Sequence, residues 1–322
     1  MKKLNVALAI LVAAVMAANA EPVYSDVVGY QKGTVINSGY TALGLSMVKA
    51  PIVTANVASK VGSKITLSQS LGTVDAAKPY YLEVVSGSLA GERADVTVVS
   101  SSAEVTIIPS SRNTSDLSGL ANEDIVVLRR HIILRDLDGM ISPALVGNDD
   151  SNLCDRVLVF NNGFIVYNKA SDNDYYQDGD LDPAADTLII PPGAGVMIHR
   201  RSSSPTTVTE VGTVRNNKFA RPYAQGYQFI APAYPSGISP NNLKADTSSG
   251  WNASDRILPF NNGFVSYVFE PTDTTGGANG TWYQDGDLDS ANGTTIIQAN
   301  AAAFIYKHAA DAGIVENSPI TN

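Results

Sequence analysis

The residues best suited to chemistry in this chain are six aspartates in two identical settings. Tyr176-Gln177-Asp178-Gly179-Asp180-Leu181-Asp182 returns unchanged as Tyr283 to Asp289, so Asp178, Asp180 and Asp182 are matched by Asp285, Asp287 and Asp289. Carboxylates at alternate positions around a glycine can fold about a hard cation that takes six to eight oxygens, and calcium fits that chemistry. The loop is not an EF-hand, which needs glycine at its sixth position and an acid at its twelfth. Counting from Asp178 gives Pro183 and Ile189, and counting from Asp285 gives Ser290 and Ile296. The competing reading is a solvated turn whose acids keep a β-rich surface soluble and blunt its edges.

Aromatic rings accompany both loops. Tyr175-Tyr176 and Trp282-Tyr283 stand at matching places, and Trp251 precedes the second copy of the longer motif described below. Tyr176, Trp251, Trp282 and Tyr283 could stack on the faces of a surface glycan while nearby Asp and Asn bond its hydroxyls. The alternative is that they simply pack, as strand aromatics usually do. Paired carboxylates also serve glycosidases, but acids at alternate positions of a repeated turn suit solvent better than an apolar pocket. His131, His199 and His308 show neither a nucleophile pattern nor metal-ligand spacing, and Cys154 is replaced by Ser254 in the second copy. No catalytic residue is therefore assigned. The clusters Arg129-Arg130-His131 and His199-Arg200-Arg201 are expected to be solvated strand ends.

These residues sit inside a longer repeat. Asp155-Arg156-Val157-Leu158-Val159-Phe160-Asn161-Asn162-Gly163-Phe164 recurs one hundred residues later as Asp255 to Phe264 with eight of ten positions identical, far more than chance supplies. The acidic motif is displaced by seven further residues, which places a lengthened loop at Thr274 to Gly280. Each copy reads as a β-meander. Runs such as Arg156 to Phe160 and Phe164 to Tyr167 flank Asn162-Gly163, a pair suited to a two-residue type I′ hairpin turn, and Asn262-Gly263 repeats it. Gly39 to Leu45 is placed like Gly226 to Pro232, as a first strand shared by the modules. Val53 to Val57, Lys64 to Leu67, Tyr80 to Val85, Asp95 to Val99 and Glu104 to Ile108 add five short strands separated by turn residues. The expected fold is all-β, with tandem antiparallel sandwich or barrel-like modules and an internal duplication. Its divisions are a signal peptide over 1–20, an N-terminal module over 21–115, and repeat modules over 116–210 and 211–322.

Export follows from the first residues. Lys2 and Lys3 precede the apolar stretch Leu4 to Met16, and Ala18-Asn19-Ala20 offers a peptidase small residues. Cleavage after Ala20 removes two lysines and no acid, lowering the net charge from −9 to −11. Such a charge disfavours nucleic acid and anionic membranes as partners. No later run of 18 or more apolar residues provides a membrane span after cleavage. One cysteine allows no intramolecular disulfide, so packing or bound ions must stabilise the fold.

Val28-Gly29-Tyr30, Gly119 to Asp124 and the strand from Pro192-Gly193 onward together resemble an uncharacterised family of secreted proteins of Verrucomicrobia and related bacteria. The resemblance implies secretion and a β architecture, and brings no catalytic residues. Gln298-Ala299-Asn300 departs from the Pro-Pro-Gly turn of the family in the last copy. The expected product is an exported, non-enzymatic structural or assembly protein of the cell envelope or extracellular matrix, secreted or at the cell surface, with the periplasm as another location. It would self-assemble and could be stabilised by calcium. The alternative is an array of carbohydrate-binding modules.

Overall fold

In the computed structural model the structure describes residues 28–36, 38–276 and 279–319, so the expected signal peptide and the middle of the lengthened loop lie outside the described residues. The fold is nearly all β, and among the described residues the helical elements are the 3-10 turns Leu134–Gly139 and Thr247–Ser249. No helix among the described residues is long and apolar enough to cross a membrane.

A closed six-stranded barrel holds Pro51–Val61, Lys64–Leu67, Tyr80–Val84, Arg93–Val98, Glu104–Ile107 and Ile125–Arg130. Period-two patterning sets it. In Pro51–Val61 the side chains of Val53, Ala55 and Val57 point inward while Thr54, Asn56 and Ala58 meet water. A slip of one residue would exchange those faces, so burial fixes the register. Leu82, Val96, Val105 and Leu128 complete the lumen, each contributing about 1.5–3 kcal/mol by burial. The five strands read from the sequence are present. The sixth, Ile125–Arg130, closes the barrel against Pro51–Val61 and Tyr80–Val84, and lies beyond residue 115.

Two five-stranded sheets share one strand order. The first runs Tyr175–Gln177, Phe164–Lys169, Arg156–Phe160, Gly195–Arg200, Gly39–Gly44. The second runs Thr281–Gln284, Tyr267–Glu270, Arg256–Pro259, Ala303–Lys307, Gly226–Ile230. Their registers agree: Arg156 faces His199 and Arg256 faces Tyr306, while Gly39 faces Arg200 and Gly226 faces Lys307. Gly39–Gly44 is thus the outer strand of the first repeat's sheet, and the whole barrel is inserted between it and the other strands. The segment 21–115 is therefore divided between two sheets and part of the barrel.

Each five-stranded sheet is accompanied by a ribbon. Val28–Ile36 pairs with Thr206–Thr213, and Phe219–Tyr223 pairs with Asp311–Glu316. The two repeats meet reciprocally: Gly44 donates its N–H to Asn300 O at 2.9 Å, and Ala231 donates to Gly193 O at 2.8 Å. By register Gly44 corresponds to Ala231 and Gly193 to Asn300, so the contact is self-complementary, as across a two-fold axis. Ala42, Leu158, Met197, Phe229, Ala302 and Phe304 fill the space between the repeats.

The Asn-Gly turns have the expected signs of φ, 54° and 153° at Asn162 and Gly163, and 55° and 154° at Asn262 and Gly263. They are not two-residue type I′ turns. Phe160 pairs with Phe164 and Phe260 with Phe264, leaving three residues in each connection. Gly163 and Gly263 open well past the φ of a I′ turn because no Cβ opposes them.

Candidate functional site

The two acidic motifs fold into the same turn. Asp178 N–H donates to Val166 O at 2.9 Å and Asp285 N–H to Ser266 O at 2.8 Å, anchoring each loop to the neighbouring strand. Gly179 and Gly286 both take φ of 85°. Asp180 Oδ1 then accepts from Leu181 N at 2.7 Å and Asp182 N at 3.1 Å, and Asp287 Oδ1 accepts from Leu288 N and Asp289 N at the same distances. A short acid folded onto its own backbone this way makes an Asx turn.

All six aspartates are exposed. Asp178 Oδ1 accepts a hydrogen bond from Asn168 Nδ2 at 3.2 Å. Among the described residues no group of three or more His, Cys, Asp or Glu side chains is placed to hold an ion. At each tip the turn instead lifts a leucine into solvent, Leu181 at 90% exposure and Leu288 at 92%.

The aromatic candidates separate into two kinds. Trp251 and Trp282 are core residues of the second repeat, 2% and 0% exposed, with their rings crossing edge to face at 5.2 Å. Trp282 Nε1–H donates to Ala245 O at 2.5 Å, and Lys307 Nζ stands 4.2 Å over the Trp251 ring. Neither ring presents a face to a glycan, which corrects the stacking expectation for both. Tyr176 and Tyr283 point the other way and are half-buried. Tyr176 O–H donates to Asp172 Oδ2 at 2.8 Å, and Tyr283 O–H donates to Asp273 Oδ2 at 2.5 Å. These hydrogen bonds, with some burial, raise both phenols above the usual tyrosine range.

Tyr176 belongs to an open groove of about 470 Å³ that includes Asn148, Asp149, Asn168, Asp172 and Asp180. Amide and carboxylate oxygens beside one phenol ring make a surface that can bond hydroxyl groups. In the second repeat Val268 replaces Asn168 in the strand register, since each faces the tyrosine of its own loop, Tyr283 and Tyr176 respectively.

Arg129, His131 and Arg200 of the basic clusters are buried rather than solvated, whereas Arg201 is exposed as expected. Arg200 and Lys307, 2% and 0% exposed, occupy equivalent places and turn inward to Asp155 and Asp255, both fully buried. Asp155 accepts from Val146 N at 2.8 Å and Arg201 N at 2.7 Å, and Asp255 from Asn252 N at 3.0 Å and His308 N at 2.7 Å. Each carboxylate thus ties a loop to the end of a strand. The signal was the identity of Asp at the head of both repeats opposite a recurring cation.

A second polar network joins the barrel to the second repeat. Glu83 lies between Arg129 and Arg215, while Arg93, Arg215 and Arg221 surround the Phe219 ring with guanidinium carbons 4.4, 4.8 and 5.2 Å from its centroid. Burial, aided by the Arg221 charge, lowers Arg93 to about 10. Nearby, His131 Nε2 is 2.9 Å from Asp95 Oδ1 and both are buried. Burial alone would raise Asp95, but His131 and Arg112 hold it at about 2. Burial keeps His131 below the usual range despite Asp95. Cys154 is buried, with Sγ 3.5 Å from Ser151 O, as a packed thiol would be.

No protein-family model matches the sequence, and no curated protein matches it at a significant level.

Proposed function

We propose that the chain is an exported, non-enzymatic structural or assembly protein of the cell envelope or extracellular matrix. The observation that carries this reading is the pair of acidic turns. The same seven residues fold the same way twice and each leaves one leucine almost wholly in water. Two equivalent apolar tips rimmed by acids would supply two equal contacts to a partner surface. The resemblance to secreted Verrucomicrobial proteins and the N-terminal Lys-Lys-apolar pattern support export. Calcium would add to such contacts by bridging the outward carboxylates to a partner's oxygens.

Cell fractionation tests the location, and sedimentation velocity of the purified chain tests assembly. Leu181→Ser with Leu288→Ser should weaken envelope retention or association while leaving the melting temperature unchanged. Full retention and unchanged association in the double variant would defeat the reading.

A glycan-binding reading is favoured by the Tyr176 groove. Calorimetry against envelope saccharides, with Tyr176→Ala as the control, distinguishes it.

A further inference from the structure

The barrel and both repeats meet around a small internal cavity far from the acidic turns. Tyr81 and Arg130 line it from the barrel, Lys49 and Gly193 from the first repeat, and Ala233 from the second. Arg215 joins them from the segment that leads out of Thr206–Thr213 toward Phe219–Tyr223. The cavity measures about 10 Å³, room for a single species near the size of water.

Its charged lining has one sign. Lys49, Arg130 and Arg215 line it, and among the described residues no acid does. Lys49 and Arg130 share Asp136, while Arg215 shares Glu83 with Arg129. Three lining cations thus draw on two carboxylates, in a chain whose net charge is −9. A buried cation short of its counter-charge is costly, and an anion beside it restores the balance.

The hydrogen-bond donors point to the same chemistry. Tyr81 is 2% exposed, and its hydroxyl has no hydrogen-bond partner among the described residues. Arg215 is 1% exposed, and its Nε–H has none either. Native folds rarely leave buried donors unmet, and one acceptor in the cavity that both side chains line accounts for the two together.

We propose that this cavity binds a monatomic anion, a halide such as chloride, through Arg215 and the Tyr81 hydroxyl, with Lys49 and Arg130 adding positive charge. Water would meet the donors but not the charge, and sulfate, phosphate and carboxylates exceed the space. The bound ion would tie the barrel to both repeats, in a chain whose one cysteine allows no intramolecular disulfide.

The test is thermal unfolding of the full chain in sodium chloride, bromide and gluconate at one ionic strength, which holds surface screening constant. Both halides should raise the melting temperature above that in gluconate. Beyond the dissociation constant, each tenfold rise in halide should raise the folded-to-unfolded ratio about tenfold. Replacing Arg215 would strand Glu83 and endanger the fold, so Tyr81→Phe, which deletes one hydroxyl and keeps the ring, is the informative variant. It should weaken chloride binding roughly tenfold while melting no lower than wild type in gluconate, because an unmet buried hydroxyl is removed. Crystals soaked in bromide should show anomalous density against Arg215. Equal melting curves in chloride and gluconate overturn the proposal, as does a chloride response that Tyr81→Phe leaves intact. Bromide density confined to the protein surface, with water alone in the cavity, overturns it too. Sedimentation and envelope retention are not among these readouts, so failure here leaves the assembly reading standing.

Discussion

Lys307 Nζ lies 2.8 Å from Asp255 Oδ2 with neither side chain exposed, and it also reaches Gly250 O at 3.1 Å. Breaking a buried pair by removing one partner strands the other charge, at a cost of about 3–5 kcal/mol. Lys307→Met should therefore lower the urea midpoint of unfolding far more than Lys307→Arg, which restores the arrangement of Arg200 with Asp155. Equal losses in the two variants would show that packing, rather than charge, decides the site.

Gly163→Ala should destabilise the protein by roughly 1–3 kcal/mol, because the left-handed region opposes any Cβ. Space is not the obstacle: nothing lies within 4 Å of a Cβ at Gly163, and the same is true of Gly139, which has no positive φ. Gly139→Ala is thus the matched control and should be near neutral. Denaturant titration of the two variants checks the difference, and the same outcome is expected at Gly263.

Burial pushes the Glu210 carboxyl up to about 7 from an ordinary 4.5, against hydrogen bonds from Met47 N, Ser46 N and Ser46 O–H. A folded-state value above the unfolded one favours the protonated fold. Its stabilisation is fully present below about pH 4.5 and is lost as pH rises through about 7, up to ~3 kcal/mol for a shift of this size. Glu210→Gln should flatten the dependence of the unfolding midpoint on pH in that window and leave the protein more stable than wild type at pH 8. A wild-type midpoint constant between pH 4.5 and 7 would contradict this.

Calcium held by the folded acidic turns would raise the melting temperature through linkage, since an ion bound only by the native state stabilises it by RT ln(1 + [L]/Kd). Magnesium should do less, because it demands a tighter octahedron. Asp180→Asn with Asp287→Asn should abolish the response. Superimposable melting curves in calcium and in chelator would leave the turns as solvated caps.

The parts legible in the sequence were local. Period-two runs announced the barrel strands, and Asn-Gly announced the hairpins, because both depend on neighbouring residues. Pairing between Gly39–Gly44 and Gly195–Arg200 is not local, and nothing in either strand names the other. The basic clusters misled for a related reason: a sequence displays charge but not burial, and Arg200 reads the same in water as it does facing Asp155. The tryptophans were more readable than first taken. Tyr175 and Trp282 are both fully buried while Tyr176 and Tyr283 face outward, an alternation that strand periodicity alone would have supplied.

The barrel's position inside the first repeat also orders events in time. Gly44 finds Gly195 in its own sheet only after the intervening chain has been made, whereas Ile230 and Ala303 of the second repeat are separated by about half that length. During synthesis the barrel strands emerge together and can close early, and a closed barrel shortens the loop that the first repeat must still complete. Until Thr206–Thr213 arrives, Val28–Ile36 has no strand to lie against. The earliest described strand of the protein is thus among the last to be secured, and any factor escorting the chain would have its longest task there.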